Sequence, residues 1–569
     1  MKKKAAIPVG YEDLKEIIEQ NMYYVDKSLM IKELLDTPAK VSLFTRPRRF
    51  GKTLNLSMIR RFFELELDQE GALVDHGHLF DGLKISACGE TYLAHHQQYP
   101  VINLSLKAAK QPSFEMAYGM LKKQIQEEYD RHRYVLCGNA LVGKEKEQYQ
   151  DILDLEDDPL LYVDALKFLS MCLVKYHKKN VIILIDEYDV PLENAWFSGF
   201  YEAMVGYIRS LLESALKTNQ YLEFAVITGC LRISRESIFT GLNNLKIHST
   251  LSPGYADCFG FTEEEVKKLL SYYELDDKYE EVRQWYDGYQ FGGRDIYNPW
   301  SIINYVDTAR LDRNAFPRPY WSNTSSNSII RELVEEADFE TRNEIESLIA
   351  GDTIETPVHE DITYGDIHES RDNLWNFLYF TGYLKKTGER PQEESIYLEL
   401  AIPNAEIRSI YRNMILTWFD KKIQEADLRP LFTAIEMDDC EAFGNFVSDQ
   451  LLDTISFFDY AENYYHGFLT GLLKTSQKYR VLSNRESGTG RPDILMKTPS
   501  VRGGAVILEL KVAASFQKME DACLEALAQI EDRNYEADLR AEGYSNIKKY
   551  GICFYQKECL VMSTTYTEQ

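Results

Sequence analysis

The chain has 569 residues, 44% of them hydrophobic and 27% charged, with a formal net charge of −26. Such a length exceeds a single core and the composition is that of an ordinary globular protein, so about three domains are expected. The acidic balance argues against non-specific coating of nucleic acid, and no apolar stretch approaches the roughly 20 residues of a membrane helix.

The N-terminal MKKKAAIPVG starts basic but has no apolar core segment, so no signal peptide is expected. Nine cysteines lie scattered from Cys88 to Cys559 without a CxxC pair. That spacing speaks against a disulfide framework or a structural zinc site and fits a reducing cytoplasm. Residues 1–255 alternate strands and helices, the pattern of an α/β domain with a mostly parallel sheet. The clearest strands are Val41–Thr45, Pro100–Leu106, Val181–Ile185 and Phe224–Thr228, each a short apolar run followed by turn residues. Thr53–Phe63 is the clearest helix and Tyr201–Lys217 the longest.

Residues 256–450 read as mainly helical, beginning with Thr262 and the acids up to Glu265 just before Val266. WYDGY at 285–289 and YNPWS at 297–301 form an aromatic turn region between helices. A helix near Leu374–Leu384 precedes strand-like Tyr383–Thr387 and Ile396–Ala401, separated by the polar GERPQEES, which suggests a winged-helix-like module. More helices run from Asn404 to about Leu452. Residues 451–569 return to mixed structure. There, helices are expected at Tyr460–Leu473 and Gln517–Asp532, and strands near Tyr479–Leu482, Asp493–Met496, Ala505–Leu510 and Tyr550–Tyr555. No internal repeat or Gly/Ser linker interrupts the chain.

Two basic clusters stand out: Arg46, Arg48, Arg49, Lys52, Arg60 and Arg61, and a second set from Lys478 to Lys518. Either could hold phosphates, or be a solvated face. The first falls in LFTRPRRFGKTLNL (43–56), with a strand in front and a helix behind. Phosphates favour that context, because helix N-terminal amides and the helix dipole attract anions. Lys52 would neutralise the β- and γ-phosphates of ATP, and the Thr53 hydroxyl would ligate Mg²⁺. Arg46 stands where the general pattern has glycine, while Gly51 keeps the tight approach beside the lysine. The strand VIILI ends in Asp186 and Glu187. Asp186 would hold Mg²⁺ and Glu187 would polarise the attacking water. Thr228, at the tip of a third strand, could sense the γ-phosphate, and Arg232 or Arg235 could stabilise transition-state charge.

Near the C-terminus, GTGRPDIL (488–495) precedes VILELKV (506–512). Glu509 and Lys511, two apart in a strand, share a face. Asp493 on the adjacent strand could join Glu509 on a divalent cation, with Lys511 orienting water or steadying phosphate charge. The alternative is a salt-bridged strand face; burying two acids and a lysine on one short strand system is costly unless they are paired or coordinate a metal.

TRPRRFGKTL (45–54), LIDEYD (184–189), Thr228–Gly229, FTGLN (239–243) and YYVDKS (23–28) together resemble the AAA-ATPase-like family of bacterial P-loop proteins. The resemblance covers about residues 6–260, and the aromatic segments extend it. It implies an ASCE/AAA-like P-loop domain over 1–255, a helical lid or middle region over 256–450, and nucleotide contact by Arg46, Arg48, Arg49, Phe50, Gly51, Lys52, Thr53 and Leu54. ATPases of this type often act as homo-oligomers. The C-terminal motifs resemble the PD-(D/E)xK nuclease superfamily, implying a restriction-endonuclease-like fold over 451–569 with Mg²⁺ or Mn²⁺. Glu462 then matches the first-helix acid and Gln529 an accessory helix residue. His466, one turn after Glu462, could face the site, although it reads first as a surface histidine.

The resulting expectation is a multidomain α/β ATPase coupled to cleavage of DNA or RNA. The alternative is an ATP-switched binding or regulatory module whose nuclease-like domain is silent.

Overall fold

The computed structural model describes residues 4–68, 71–217, 219–232, 238–239, 243–323, 338–360, 362–392, 395–414, 427–453, 462–483 and 492–564. The chain divides into two compact units, Met1–Thr324 with Thr353–Ser409, and Ser325–Asp352 with Ile410–Gln569. No helix among the described residues is long and apolar enough to cross a membrane.

The first unit is built on five parallel strands: β1 (Val41–Thr45), β2 (Val101–Ser105), β3 (Val181–Asp186), β4 (Leu222–Gly229) and β5 (Leu245–His248). Every residue of β1 and β3 is buried, as expected for a parallel sheet covered on both faces. The strand order is β2-β3-β4-β1-β5. Thus β4 lies between β1, which leads into the GKT segment, and β3, which carries the acids. The helix after β1 begins at Lys52 and runs to Phe63. The longest described helix is Phe114–Arg131, not Tyr201–Leu216. Its buried stripe of Ala117, Leu121, Ile125 and Tyr129 is thinly spread among charged residues, which hides its helical period.

Between the helices Tyr279–Tyr286 and Pro299–Ala309, the aromatic turn region holds two strands of a small antiparallel sheet. Its strands are β6 (Phe261–Thr262), β7 (Tyr289–Phe291) and β8 (Arg294–Tyr297), in the order β6-β8-β7. Gly292 and Gly293, both at positive φ, turn β7 into β8. Tyr289, Phe291 and Ile296 join the same core as Phe44, Phe50 and Phe62. Further on, β9 (Ile354–Pro357) and the helix Arg371–Phe380 precede the antiparallel pair β10 (Lys385–Gln392) and β11 (Ser395–Ala401). Most of GERPQEES therefore belongs to a strand. β10 is the edge of the order β10-β11-β9, where Pro391 forfeits no ladder bond that a neighbour needs.

The second unit holds β12 (Arg480–Ser483), β13 (Ile494–Lys497), β14 (Ala505–Val512), β15 (Ile547–Tyr555) and β16 (Glu558–Ser563), in sequential order. Only β14 and β15 pair in parallel. Alternate strand residues feed two cores. Ile494, Met496, Val506 and Leu508 pack with Phe468 and Leu472 of the helix Glu462–Lys474. Leu495 and Ile507 face Leu527 and Ile530 of the helix Met519–Asp532.

In the first unit, Glu406 is fully buried. Its carboxylate accepts from the Ser301 hydroxyl at 2.8 and 3.0 Å and from the Trp321 amide at 2.9 Å. Burial pushes its carboxyl up to about 7, despite these donors. The folded state therefore favours the protonated form. This contribution is fully present below the ordinary 4.5 and is lost as pH rises through about 7. Glu406→Gln should keep the packing and remove the titration. Thermal or urea unfolding should show its stability relative to wild type rising by up to about 3 kcal/mol between about pH 5 and pH 8.

Candidate functional site

The parallel order brings the C-terminal ends of β1, β4 and β3 side by side, and one carboxylate ties them together. The Thr53 hydroxyl donates to Asp186 Oδ2 at 2.7 Å. From the other side, the Thr228 hydroxyl donates to Asp186 Oδ1. Asp186 is only 6% exposed. Lys52 is buried beside them and donates to the Arg46 and Pro47 carbonyls at 2.8 and 2.9 Å, with Cys230 Sγ at 3.6 Å. Gly51 stands at the N-cap of the helix Lys52–Phe63 with φ 81° and offers no capping side chain.

Glu187 has a left-handed backbone, φ 53°, and its amide donates to Thr228 Oγ1 at 3.4 Å. Burial, then the adjacent Asp186 charge, push its carboxyl up; Lys52 and Lys107 oppose the shift. A polar pocket lined by Glu12, Asp13, Thr53, Asn103, Ser105 and Asp186 opens beside this group. An apolar pocket lined by Ile7, Pro8, Tyr24, Leu54, Phe261 and Pro299 adjoins Gly51.

The arginines of this segment are held elsewhere. Arg46 is fully buried, its Nη1 donating to the carbonyls of Thr45 and His248 at 2.9 and 2.7 Å. Its guanidinium lies 5.1 Å from both the Phe259 and Phe291 rings, and burial pulls it down to about 10. Only its carbonyl faces Lys52. Arg48 pairs with Glu193, and Arg49 lies 3.9 Å over the Trp300 ring. Arg60 pairs with Glu64, and Arg61 with Asp13 and Glu66. The basic run is thus not an open patch, because each charge already has a local use. The Phe50 ring packs on Tyr289 and Phe291. Arg232 follows the tip of β4 and is half-buried, whereas Arg235 and residues 240–242 lie outside the described residues.

In the second unit, Asp493 sits just before β13, with Glu509 and Lys511 on β14. The Asp493 amide lies 3.3 Å from Glu509 Oε2, and the Leu510 amide donates to Asp493 Oδ2 at 2.8 Å. Gln529 bridges the other two: Lys511 Nζ donates to Gln529 Oε1 at 2.8 Å, and Gln529 Nε2 donates to Glu509 Oε1. Lysine only donates and an ionised carboxylate only accepts, so the orientation of that amide follows from its neighbours. The helix begins at Glu462, whose side chain lies outside the described residues, as do residues 484–491. Two members of the second basic cluster are paired, Lys478 with Glu436 and Lys497 with Glu542.

His466 is not a surface histidine. Its Nε2 lies 2.9 Å from the Asp493 carbonyl and 3.1 Å from Ser483 Oγ. A carbonyl cannot donate, so Nε2 carries the proton. The available signal was its place four residues after Glu462 on one helix face.

No group of three or more His, Cys, Asp or Glu side chains suited to a metal occurs among the described residues. The donors that do converge are oxygens, Thr53 with Asp186 and Asp493 with Glu509. Hard cations such as Mg²⁺ and Mn²⁺ prefer such donors.

Residues 8–239 match the family model described as a predicted AAA-ATPase, and residues 460–564 match that of the PD-(D/E)XK nuclease superfamily. Among curated proteins, the chain is 25% identical over 415 residues to an "Uncharacterized protein in vnfD 5'region" of Azotobacter chroococcum mcd 1. That match covers 72% of this chain and 70% of the relative.

The placement of Arg46 makes a testable distinction. Arg46→Met should lower stability by about 2–4 kcal/mol, since two buried carbonyls lose their donor. Affinity of the folded protein for a nucleoside triphosphate should change less than about threefold. Calorimetry with fluorescent-nucleotide titration measures both.

Proposed function

We propose that this chain, which fuses an AAA-ATPase-like domain to a PD-(D/E)XK nuclease-superfamily domain, hydrolyses ATP to control cleavage of phosphodiester bonds in DNA or RNA. The observation that carries the reading is the meeting of Thr53 and Thr228 on Asp186 beside buried Lys52.

Lys52 and the amides at the start of its helix bind the phosphates, and Leu54 with Ile7 and Pro8 offers the base an apolar wall. Thr53 and Asp186 would hold Mg²⁺, whose bound charge neutralises the phosphate oxygens. Glu187, its proton affinity raised by burial, takes a proton from the water that attacks the terminal phosphorus. The bond to the bridging oxygen breaks, and ADP and inorganic phosphate leave. Thr228 keeps Asp186 oriented, and Arg232 stabilises charge on the transferring group.

In the second unit, Asp493 and Glu509 would hold Mg²⁺ or Mn²⁺. Lys511, fixed by Gln529, steadies charge on the scissile phosphate. A specific observation favours a second reading, in which the nuclease-like domain binds without cutting: Lys511 and Glu509 are both already bonded to Gln529.

The test uses labelled DNA and RNA with Mg²⁺ or Mn²⁺, with and without ATP. Lys52→Ala should weaken nucleotide binding about tenfold or more. Glu187→Gln should bind ATP but lose about 10²- to 10⁴-fold in kcat. Wild-type kcat should rise with pH as the Glu187 carboxyl ionises, above the ordinary carboxylate range. Asp493→Ala should abolish cleavage and spare ATP turnover. Nucleic-acid binding without cleavage would establish the second reading instead.

A further inference from the structure

Asp189 is the N-cap residue of the helix Val190–Ser198, yet its side chain caps no amide of that helix. Its Oδ2 instead accepts from the amides of Cys230 and Leu231, at 2.7 and 3.1 Å. These two residues follow the tip of β4 directly. The residues before Asp189 hold the same segment. The Tyr188 amide donates to the Thr228 carbonyl at 3.1 Å, and the Tyr188 hydroxyl donates to the Leu231 carbonyl at 2.7 Å. The Glu187 amide reaches Thr228 Oγ1. Three consecutive residues after Asp186 thus grip the stretch from Thr228 to Leu231.

The fit requires glycine at 229. A Cβ there would lie 2.5 Å from Tyr188 Cε1 and 3.0 Å from Asp189 Oδ1. Asp189 is 2% exposed, and its Oδ1 has no hydrogen-bond partner among the described residues. A buried carboxylate with one oxygen unsatisfied is unfavourable. A local device for helix capping would not need one. What the clasp holds is close to the chemistry. Thr228 bonds Asp186, the Gly229 carbonyl receives the Arg46 amide at 3.1 Å, and Cys230 Sγ touches Lys52. Arg232 follows immediately.

We infer that Asp189 is a positioning residue for nucleotide hydrolysis: through the Cys230 and Leu231 amides it fixes the tip of β4, and with it Thr228 and Arg232, against Asp186 and Glu187. This rests on the nucleotide reading above. The amide bonds to Asp189 are charge-assisted, but an asparagine oxygen can still accept both.

The test compares Asp189→Ala, Asp189→Asn and Tyr188→Phe in the full chain. Asp189→Ala should lower kcat for ATP about tenfold or more, with the Kd for a fluorescent ATP analogue within about threefold of wild type. Asp189→Asn should recover most of the turnover, and Tyr188→Phe should lose less than Asp189→Ala. Hydrogen exchange should speed up at the Cys230 and Leu231 amides in Asp189→Ala, while the β1 and β3 amides stay protected. Unchanged exchange at those two amides overturns the clasp. So does an equal loss of turnover in Asp189→Asn, or a loss of nucleotide binding that accounts for the loss of turnover. A wild-type chain that binds no ATP removes the nucleotide reading and this role together. A wild-type ATPase indifferent to Asp189→Ala removes this role alone.

Discussion

One carboxylate organises the first unit. Asp186 accepts a threonine hydroxyl from the helix after β1 on one oxygen and a threonine hydroxyl from β4 on the other. The strand order makes this necessary. β1 and β3 are separated by β4, so their ends lie about 10 Å apart at the usual strand spacing. The GKT segment and the acid can meet only if the strand between them ends in a short side chain that joins rather than obstructs. Thr228 does this, and Gly229 after it clears the space that Tyr188 occupies.

The phosphate loop is anchored from beneath. Phe50 and the guanidinium of Arg46 are taken up by the aromatic core that β7 and β8 complete, and the Phe50 carbonyl receives the Gly260 amide at 3.1 Å. The loop above that anchor bends sharply. Arg49 and Glu187 both adopt left-handed backbone at φ 68° and 53°, a conformation that costs a residue with a Cβ about 1–2 kcal/mol. Each such conformation is sustained only where the surrounding core over-determines it. The helical middle of the sequence is therefore part of the scaffold of the loop.

The elements that could be read from sequence are those whose burial is nearly complete. VSLFT and VIILID are unbroken apolar runs because both faces of their sheet are covered, and their bounds fall within a residue of expectation. The acids that terminate the second run follow from the same logic. The hairpin of β7 and β8 is obscured in sequence because its strands are only three and four residues long and its two-glycine turn falls between the two aromatic motifs. β16 was missed because ECLVMS alternates weakly and follows a strand after only two residues. Side-chain direction was the least legible property. Arg46 and His466 share nothing in sequence with their partners, His248 at a separation of 202 residues and Asp493 at 27. Only the fold supplies those neighbours. Successive residues of a tight loop point in different directions, so an arginine run in sequence does not make one patch.

A contrast among the buried acids separates scaffold from site. Glu64, Glu128 and Glu193 are each buried and each paired with an arginine. Removing the cation from such a pair costs about 3–5 kcal/mol, so the arrangement is fixed once folded. Asp186 accepts instead from two neutral hydroxyls. A neutral donor contributes about 0.5–1.5 kcal/mol net, so exchanging it for a cation is energetically accessible. The hydroxyls hold Asp186 in place without supplying a counter-charge. Glu64, Glu128 and Glu193 thus carry a permanent counter-charge. Neutral donors alone do not mark a site: burial drives Glu406, held by a hydroxyl and an amide, towards its protonated form, whereas the two threonines on Asp186 come from the helix after β1 and from β4 and meet beside Lys52.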